Sequence, residues 1–240
     1  MTGPQEAEVA EGKIGSKMHL KINPRPFASL SPPLSESGDY RPVSYWQTTV
    51  DIRPGDPLVG NVECDVAIVG GGFTGLSTAY ELKKADPKRK IVLIERTVIG
   101  HGASGRNGGF VMPLLGWDLV DAARKLTPEI AADAYRLMYD AIAHLKELVE
   151  VERLDCDWED SGYLLLATCA RREARMRREC EMAHYMGFKH QWIERDALGE
   201  FIRSSQFRSG LFDPKPATLN PAKLARALLE RVRSLGVGSL

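Results

Sequence analysis

Cys64-Asp65-Val66-Ala67-Ile68-Val69-Gly70-Gly71-Gly72-Phe73-Thr74-Gly75 opens a unit that runs on to Ile91-Val92-Leu93-Ile94-Glu95. A short apolar run meets a glycine-rich turn, an amphipathic segment follows, and a second apolar run ends on a carboxylate. The pattern predicts strand, turn, helix, strand. Gly70 permits the tight turn, Gly72 lets a pyrophosphate approach the backbone, and Gly75 lets helix and strand pack closely. The free N–H groups at the helix start, around Phe73 and Thr74, point at the phosphates, and the helix dipole favours their charge. Glu95 stands where a carboxylate accepts hydrogen bonds from ribose hydroxyls and repels a 2′-phosphate, which disfavours NADP. The unit implies a dinucleotide without saying which one.

Context raises this above a chance run of glycines. Val66 to Val69 is continuously apolar, as a parallel strand covered on both faces would be. Leu76, Ala79, Tyr80 and Leu82 recur at helical spacing. Asp86-Pro87 ends the helix, because proline cannot continue it and restricts the residue before it. Glu95 falls later than the usual ~20 residues, and the extra turn from Asp86 to Lys90 accounts for the delay.

The chain has 240 residues, 43% hydrophobic and 27% charged, the balance of a globular protein. Its 32 basic and 32 acidic residues cancel, which argues against nucleic-acid and anionic-membrane partners. No apolar run approaches the ~18 residues of a membrane span, and residues 1–20 are read as no signal peptide. Cys64, Cys156, Cys169 and Cys180 form no CxxC and no metal-like cluster with histidine. They are read as reduced buried thiols in a cytoplasmic protein, and no metal is expected.

Residues 1–60 are rich in proline, serine and charge and are expected to be extended or disordered. Tyr45-Trp46 interrupts them, and two adjacent aromatics should dock on the folded body. Farther on, Thr127-Pro128 starts a long helix to about Arg153. Its apolar stripe is read as Ile130, Ala134, Leu137, Met138, Ile142, Leu145 and Leu148. Gly162 to Ala167 reads as a strand, and Arg171 to Met186 as a helix closed by Gly187 with its arginines on a solvated face. Gly210-Leu211-Phe212-Asp213 reads as a short strand, and Asn220-Pro221 caps a helix ending at Gly236. His144, His184 and His190 are read as structural or surface residues.

The second motif is Gly100-His101-Gly102-Ala103-Ser104-Gly105-Arg106-Asn107-Gly108-Gly109-Phe110. So many glycines let backbone amides crowd a ligand, with Ser104, Arg106 and Asn107 supplying polar contacts. With both motifs in view, the chain resembles the D-amino-acid-oxidase-like (DAO) family of FAD-dependent oxidoreductases, and within it the gamma-glutamylputrescine oxidoreductase group. Tyr45-Trp46, Gly210-Leu211-Phe212-Asp213 and Leu219-Asn220-Pro221 extend the match. One departure is His101, where this group often carries an aromatic; it is read as a solvent-facing loop histidine.

The resemblance implies an α/β fold, a Rossmann-like FAD-binding domain of the GR2-type flavoproteins with part of a mixed α+β substrate domain. It implies FAD-binding roles for Gly70, Gly72, Phe73, Thr74, Gly75, Glu95 and Arg96 at the ADP half. Ala103, Ser104, Arg106, Asn107, Gly108 and Gly109 would run beside the phosphates and the flavin. The implied reaction moves hydride from a carbon bearing an amine to the flavin, the imine hydrolyses, and O₂ takes the electrons as hydrogen peroxide. The implied partners are therefore a small amine or amino acid and O₂. No catalytic residue is named.

The expected organisation is an N-terminal segment (1–60), an FAD-binding portion (61–155), a partial substrate domain (156–215) and a returning helix (216–240). The family's C-terminal half is expected to be missing, so that the chain is a truncated form or is completed by another chain. Two other readings share the first motif: a non-catalytic FAD-binding subunit, and an NAD-dependent dehydrogenase, which has no need of the second motif.

Overall fold

The structure is a computed structural model and describes residues 18–20, 44–51 and 53–239. In chain order the elements begin with β1 (Met18–Leu20), α1 (Tyr45–Thr48), β2 (Val62–Cys64), β3 (Val66–Val69), α2 (Phe73–Ala85) and β4 (Ile91–Ile94). Then follow β5 (Phe110–Val111), α3 (Leu119–Lys125), α4 (Pro128–Val151), β6 (Tyr163–Ala167), α5 (Ala170–Tyr185) and β7 (Gln191–Glu194). The chain closes with β8 (Ser209–Asp213), β9 (Ala217–Thr218), α6 (Pro221–Ser234) and β10 (Gly238–Ser239).

β3 and β4 pair in parallel from Val66 opposite Ile91 to Val69 opposite Ile94, and β10 joins the other side of β4, giving the order β10-β4-β3. Helix α2 makes the crossover between the first two strands, and α6 leads into the third. Leu76, Ala79 and Tyr80 of α2 meet Ile91 and Leu93 of β4 and Leu224, Ala225, Leu228 and Val232 of α6 in one buried cluster. Burying a leucine or isoleucine side chain in this way stabilises by about 1.5–3 kcal/mol. Both helices are stopped as their sequences demand, α2 at Asp86 before Pro87 and α6 before Gly236, which adopts φ +85°.

A second sheet, ordered β6-β8-β7, is antiparallel, with Tyr163 opposite Asp213 and Leu165 opposite Leu211. Its Ala167 and Leu211 pack on Met176 and Cys180 of α5. A two-stranded ribbon of β5 and β9 lies between the sheets in sequence, and β1 pairs with β2.

Several expectations are corrected. Strand β3 is only partly covered: Val66, Ala67 and Ile68 are half-buried and Val69, at the end of this edge strand, is 81% exposed. The stripe of α4 is rotated in its first half. Ala131, Ala132 and Tyr135 are buried against α3 and α5, while Ile130 and Leu137 face solvent. The two ends of this 24-residue helix belong to different clusters, its last turns packing at Leu145, Leu148 and Val149 on the α2–α6 core. Cys169 is exposed, unlike the other three cysteines. Ser44 to Thr48 is a capped helical turn and not extended chain, and of its two aromatics only Trp46 docks. The remaining expectations for residues 1–43 lie outside the described residues, apart from β1. The arginine face of α5 is partly engaged, since Arg175 pairs with Asp118 and Arg177 stacks on Trp192 at 4.3 Å.

The turn from β3 into α2 depends on two glycines. Gly70 adopts φ +108°, and a Cβ on Gly75 would fall well inside van der Waals contact with the Gly70 carbonyl oxygen. Gly75→Ala is expected to force helix and turn apart and to cost about 1–3 kcal/mol. Urea unfolding would read this as a lower midpoint at unchanged slope; an unchanged midpoint would show that the helix tolerates the added carbon.

Candidate functional site

Helix α2 receives no side-chain cap from its own N-cap residue, Gly72. The cap arrives from the second glycine-rich loop, where Ser104 Oγ accepts the Phe73 amide at 2.9 Å. A Cβ on Gly72 would come within 2.9 Å of that same oxygen, so the bare glycine makes room for the serine. With one lone pair used by Phe73, the Ser104 hydroxyl proton, which has no acceptor among the described residues, is free to donate outward. The amides of Gly72, Thr74 and Gly75 have no acceptor among the described residues. Orphan amides at a helix N-terminus, together with the dipole, make a site for an anion such as phosphate.

Glu95 directly follows β4 beside this turn. Its Oε2 accepts the Gly71 amide at 2.8 Å, and its Oε1 accepts the Thr97 amide at 3.0 Å and the Thr97 hydroxyl at 3.2 Å. Burial alone would raise the carboxyl's pKa; the donors from Gly71, Thr97 and Arg96 outweigh it and hold the group below its ordinary value. Glu95 is therefore a carboxylate, and its Oε2, which accepts only the Gly71 amide at hydrogen-bond distance, keeps a lone pair for an incoming hydroxyl.

The second loop braces itself. A short 3₁₀ turn covers Ala103 to Gly105. Asn107 donates to the Ala103 and Ser104 carbonyls at 3.2 and 3.0 Å and accepts the Gly109 amide at 2.8 Å. Arg106 folds back on the His101 carbonyl at 2.7 Å. Of the residues singled out by sequence, Gly70, Gly72, Phe73, Thr74, Gly75, Glu95 and Ser104 converge on the helix end. The Arg96 backbone serves Glu95 while its exposed side chain makes no hydrogen bond or ion pair among the described residues, Arg106 and Asn107 turn inward on their own loop, and Ala103 and Gly108 are exposed. His101 is also exposed.

Sequence reasoning missed a cavity of about 440 Å³ between the antiparallel sheet and α3 to α5. Trp117, Tyr135, Tyr139, Tyr163, Arg172 and Asp213 are among its lining residues. Asp213 is buried. Its Oδ2 accepts the Tyr139 hydroxyl at 2.7 Å and its Oδ1 accepts the Lys215 amide at 3.0 Å. His190 Nε2 stands 3.0 Å from the Tyr139 oxygen and 3.5 Å from Asp213. Since Tyr139 gives its proton to Asp213, the network places a proton on His190 Nε2, directed at the Tyr139 oxygen, while Nδ1 has no partner among the described residues. Burial would raise the Asp213 carboxyl, but the bonds from His190, Lys215 and Tyr139 prevail and hold it below the usual aspartate range. Burial pushes the Tyr135 phenol up to about 12 and raises Tyr139 as well.

At the cavity wall Glu179 accepts the Leu119 and Val120 amides at 2.9 and 3.2 Å, and burial, then Asp118, pushes its carboxyl upward. Asp118 is held low by Arg175 and the Asp121 amide despite its burial. Arg172 makes no ion pair among the described residues. One sequence signal pointed here: alternation along β6 and β8 puts Tyr163, Leu165, Leu211 and Asp213 on one face, and an aspartate closing an apolar strand is unusual enough to flag.

Residues 65–238 match the family described as FAD dependent oxidoreductase. The chain is 28% identical over 195 residues to gamma-glutamylputrescine oxidoreductase of Escherichia coli K12, covering 80% of this chain and 45% of that protein. It superposes on glycine oxidase from Bacillus cereus with a TM-score of 0.59 at 21% identity, over 73% of this chain and 45% of the other. Glycine oxidase from Geobacillus kaustophilus gives 0.58 at 23%, over 74% and 46%. The chain thus spans less than half the length of each of these relatives.

Asp213 supplies a pH test. Its folded pKa lies below the ordinary 3.8, so the unfolded chain binds its proton more readily as pH falls. The stability it contributes is present above that ordinary value and is lost as pH drops through and below it. Urea unfolding across the acid range is expected to show a shallower loss for Asp213→Asn than for the parent; equal slopes would mean the carboxyl is not depressed.

Proposed function

This chain belongs to the FAD dependent oxidoreductase (DAO) family, and from that premise we propose that it binds FAD and serves the oxidation of a C–N bond in a small amine or amino acid. One observation carries the reading: Ser104 of the second glycine-rich loop seats on the α2 N-terminus at Phe73, so both motifs meet at a single anion site. The residues fit the cofactor's ADP half. The pyrophosphate would lie against the Gly72, Thr74 and Gly75 amides with the Ser104 hydroxyl donating to it, and the ribose would use the free lone pair of Glu95. An NAD-dependent dehydrogenase would leave the second loop without a task.

FAD, when bound, supplies the acceptor for a hydride, that is, two electrons and a proton. This chain's own residues would hold and orient. The aromatic walls of the cavity and the Asp213 carboxylate favour an ammonium group, and Arg172 at its edge favours a carboxylate. That pairing supports an amino-acid-like substrate, and gamma-glutamylputrescine is the substrate class that the Escherichia coli relative's name suggests. Passage of electrons to O₂ and a cytoplasmic setting complete the proposal; no helix among the described residues is long and apolar enough to cross a membrane. Because the chain spans less than half of its relatives, turnover is proposed for the longer enzyme or for this chain with a completing partner.

The test begins with colour. Purified protein supplied with FAD should show flavin absorbance bands, and a protein that takes up NADH but no flavin would overturn the reading. Glu95→Gln is expected to weaken FAD binding by about 1.5–3 kcal/mol, the worth of a charge-assisted hydrogen bond. Titration of the apoprotein measures it, and unaltered affinity would remove Glu95 from the site. Peroxide release with gamma-glutamylputrescine or simple amines tests the reaction, and flavin binding without turnover by the completed enzyme would favour a non-catalytic subunit.

A further inference from the structure

Helix α1 and its N-cap Ser44 hydrogen-bond to the second glycine-rich loop through side chains, and every one of those bonds ends on a loop carbonyl. Ser44 Oγ donates to the Gly105 carbonyl at 2.6 Å. The Trp46 indole N–H donates to the Asn107 carbonyl at 2.9 Å. The buried Gln47 amide donates to the His101 and Gly100 carbonyls at 3.4 and 3.5 Å. The helix is itself fixed at both ends. Ser44 and Gln47 form a reciprocal capping box, and Thr49 Oγ1 accepts from Asn220, the N-cap of α6, at 2.8 Å.

The direction of these bonds has a consequence. In a planar trans peptide the carbonyl of one residue and the N–H of the next point to opposite sides. Pulling the His101 carbonyl toward Gln47 therefore turns the Gly102 amide away from α1, and pulling the Asn107 carbonyl toward Trp46 does the same for Gly108. Neither of those amides has an acceptor among the described residues. The Trp46 ring also packs closely on Gly109, where an added Cβ would stand 3.3 Å from it.

We infer that α1 is a clasp that aims the Gly102 and Gly108 amides at the cofactor, with Trp46 and Gln47 as positioning residues. The inference rests on the proposed FAD site, but it concerns the loop beyond the helix end that would hold the ADP half. It separates two parts of one cofactor: the α2 end and Glu95 are formed without α1, whereas the loop's outward amides take their direction from α1 together with the loop's own Arg106 bond to the His101 carbonyl.

The experiment compares Trp46→Phe, which keeps the ring and loses its donor, and Gln47→Met, which keeps the shape and loses the amide. Tyr45→Ala is the control, because Tyr45 is 73% exposed. Apoprotein is titrated with FAD and separately with ADP, and amide hydrogen exchange is followed over residues 99–109 without ligand. Each clasp variant is expected to bind FAD about tenfold more weakly, the effect of one hydrogen bond. ADP affinity should hold within twofold, exchange in the loop should quicken, and the control should match the parent. Loop exchange equal to the parent's would overturn the clasp, as would equal weakening of FAD and ADP, which is the mark of general destabilisation. A parent that binds neither ligand would overturn both the FAD site and the aiming of these amides, whereas a parent that binds both with an unaltered loop in the variants would overturn the clasp alone.

Discussion

The hydrogen bond from the Phe73 amide to Ser104 Oγ is the contact on which the rest of the site depends. A helix start carries several amides that nothing inside the helix can satisfy, and here three of them are left open. Ser104 satisfies one and, in doing so, brings a distant loop to the others. Without it the first motif would be a generic phosphate turn and the second a glycine-rich surface loop. With it, a backbone cradle, a hydroxyl and the Glu95 carboxylate share one small volume.

Holding that arrangement falls to the α2–α6 core. Tyr80 of α2 donates to Glu152 at 2.5 Å just beyond α4, while the N-terminus of α6 bears on the loop near Gly100, where Ala225 lies. Asn220 serves three ends at once: it caps α6 through the Ala222 and Lys223 amides, reaches Thr49 beside α1, and takes the Cys156 carbonyl with its own amide. Each of these is worth about 1 kcal/mol alone, but they are concentrated where sheet, loop and clasp meet.

The strand-turn-helix unit, the caps at Thr127 and Asn220 and the stops at Gly187 and Gly236 were legible in the sequence, because each is a local matter of backbone freedom or a single side-chain oxygen. What escaped was non-local. Glycine spacing gave Gly72 a role toward a ligand, but its contact with Ser104 appears only when the loops are packed together. Ile130 and Leu137 fit a helical stripe by period, yet α4 serves two clusters, and periodicity cannot tell which neighbour a helix meets first. His190 carries no motif and Asp213 entered only as the end of a short strand; the register of β7 with β8, Gln191 opposite Phe212, and the approach of Tyr139 bring them together.

The cradle and the cavity are not independent features. Gly109 ends the loop that Ser104 anchors, and its carbonyl accepts the Leu219 amide at 2.9 Å as β5 pairs with β9. The chain leaving β5 becomes the Met112 to Leu114 wall of the cavity, and β9 lies just beyond Pro216, which lines the same space. Phe110, at the start of β5, is exposed between them. A ribbon this short has little room to bend, so the position of the loop on the α2 end sets the position of one cavity wall. The geometry that would hold a dinucleotide therefore also sets the shape of the space in which an ammonium group would meet Asp213 and the tyrosines. This coupling gives a physical reason why both glycine-rich motifs occur on one chain.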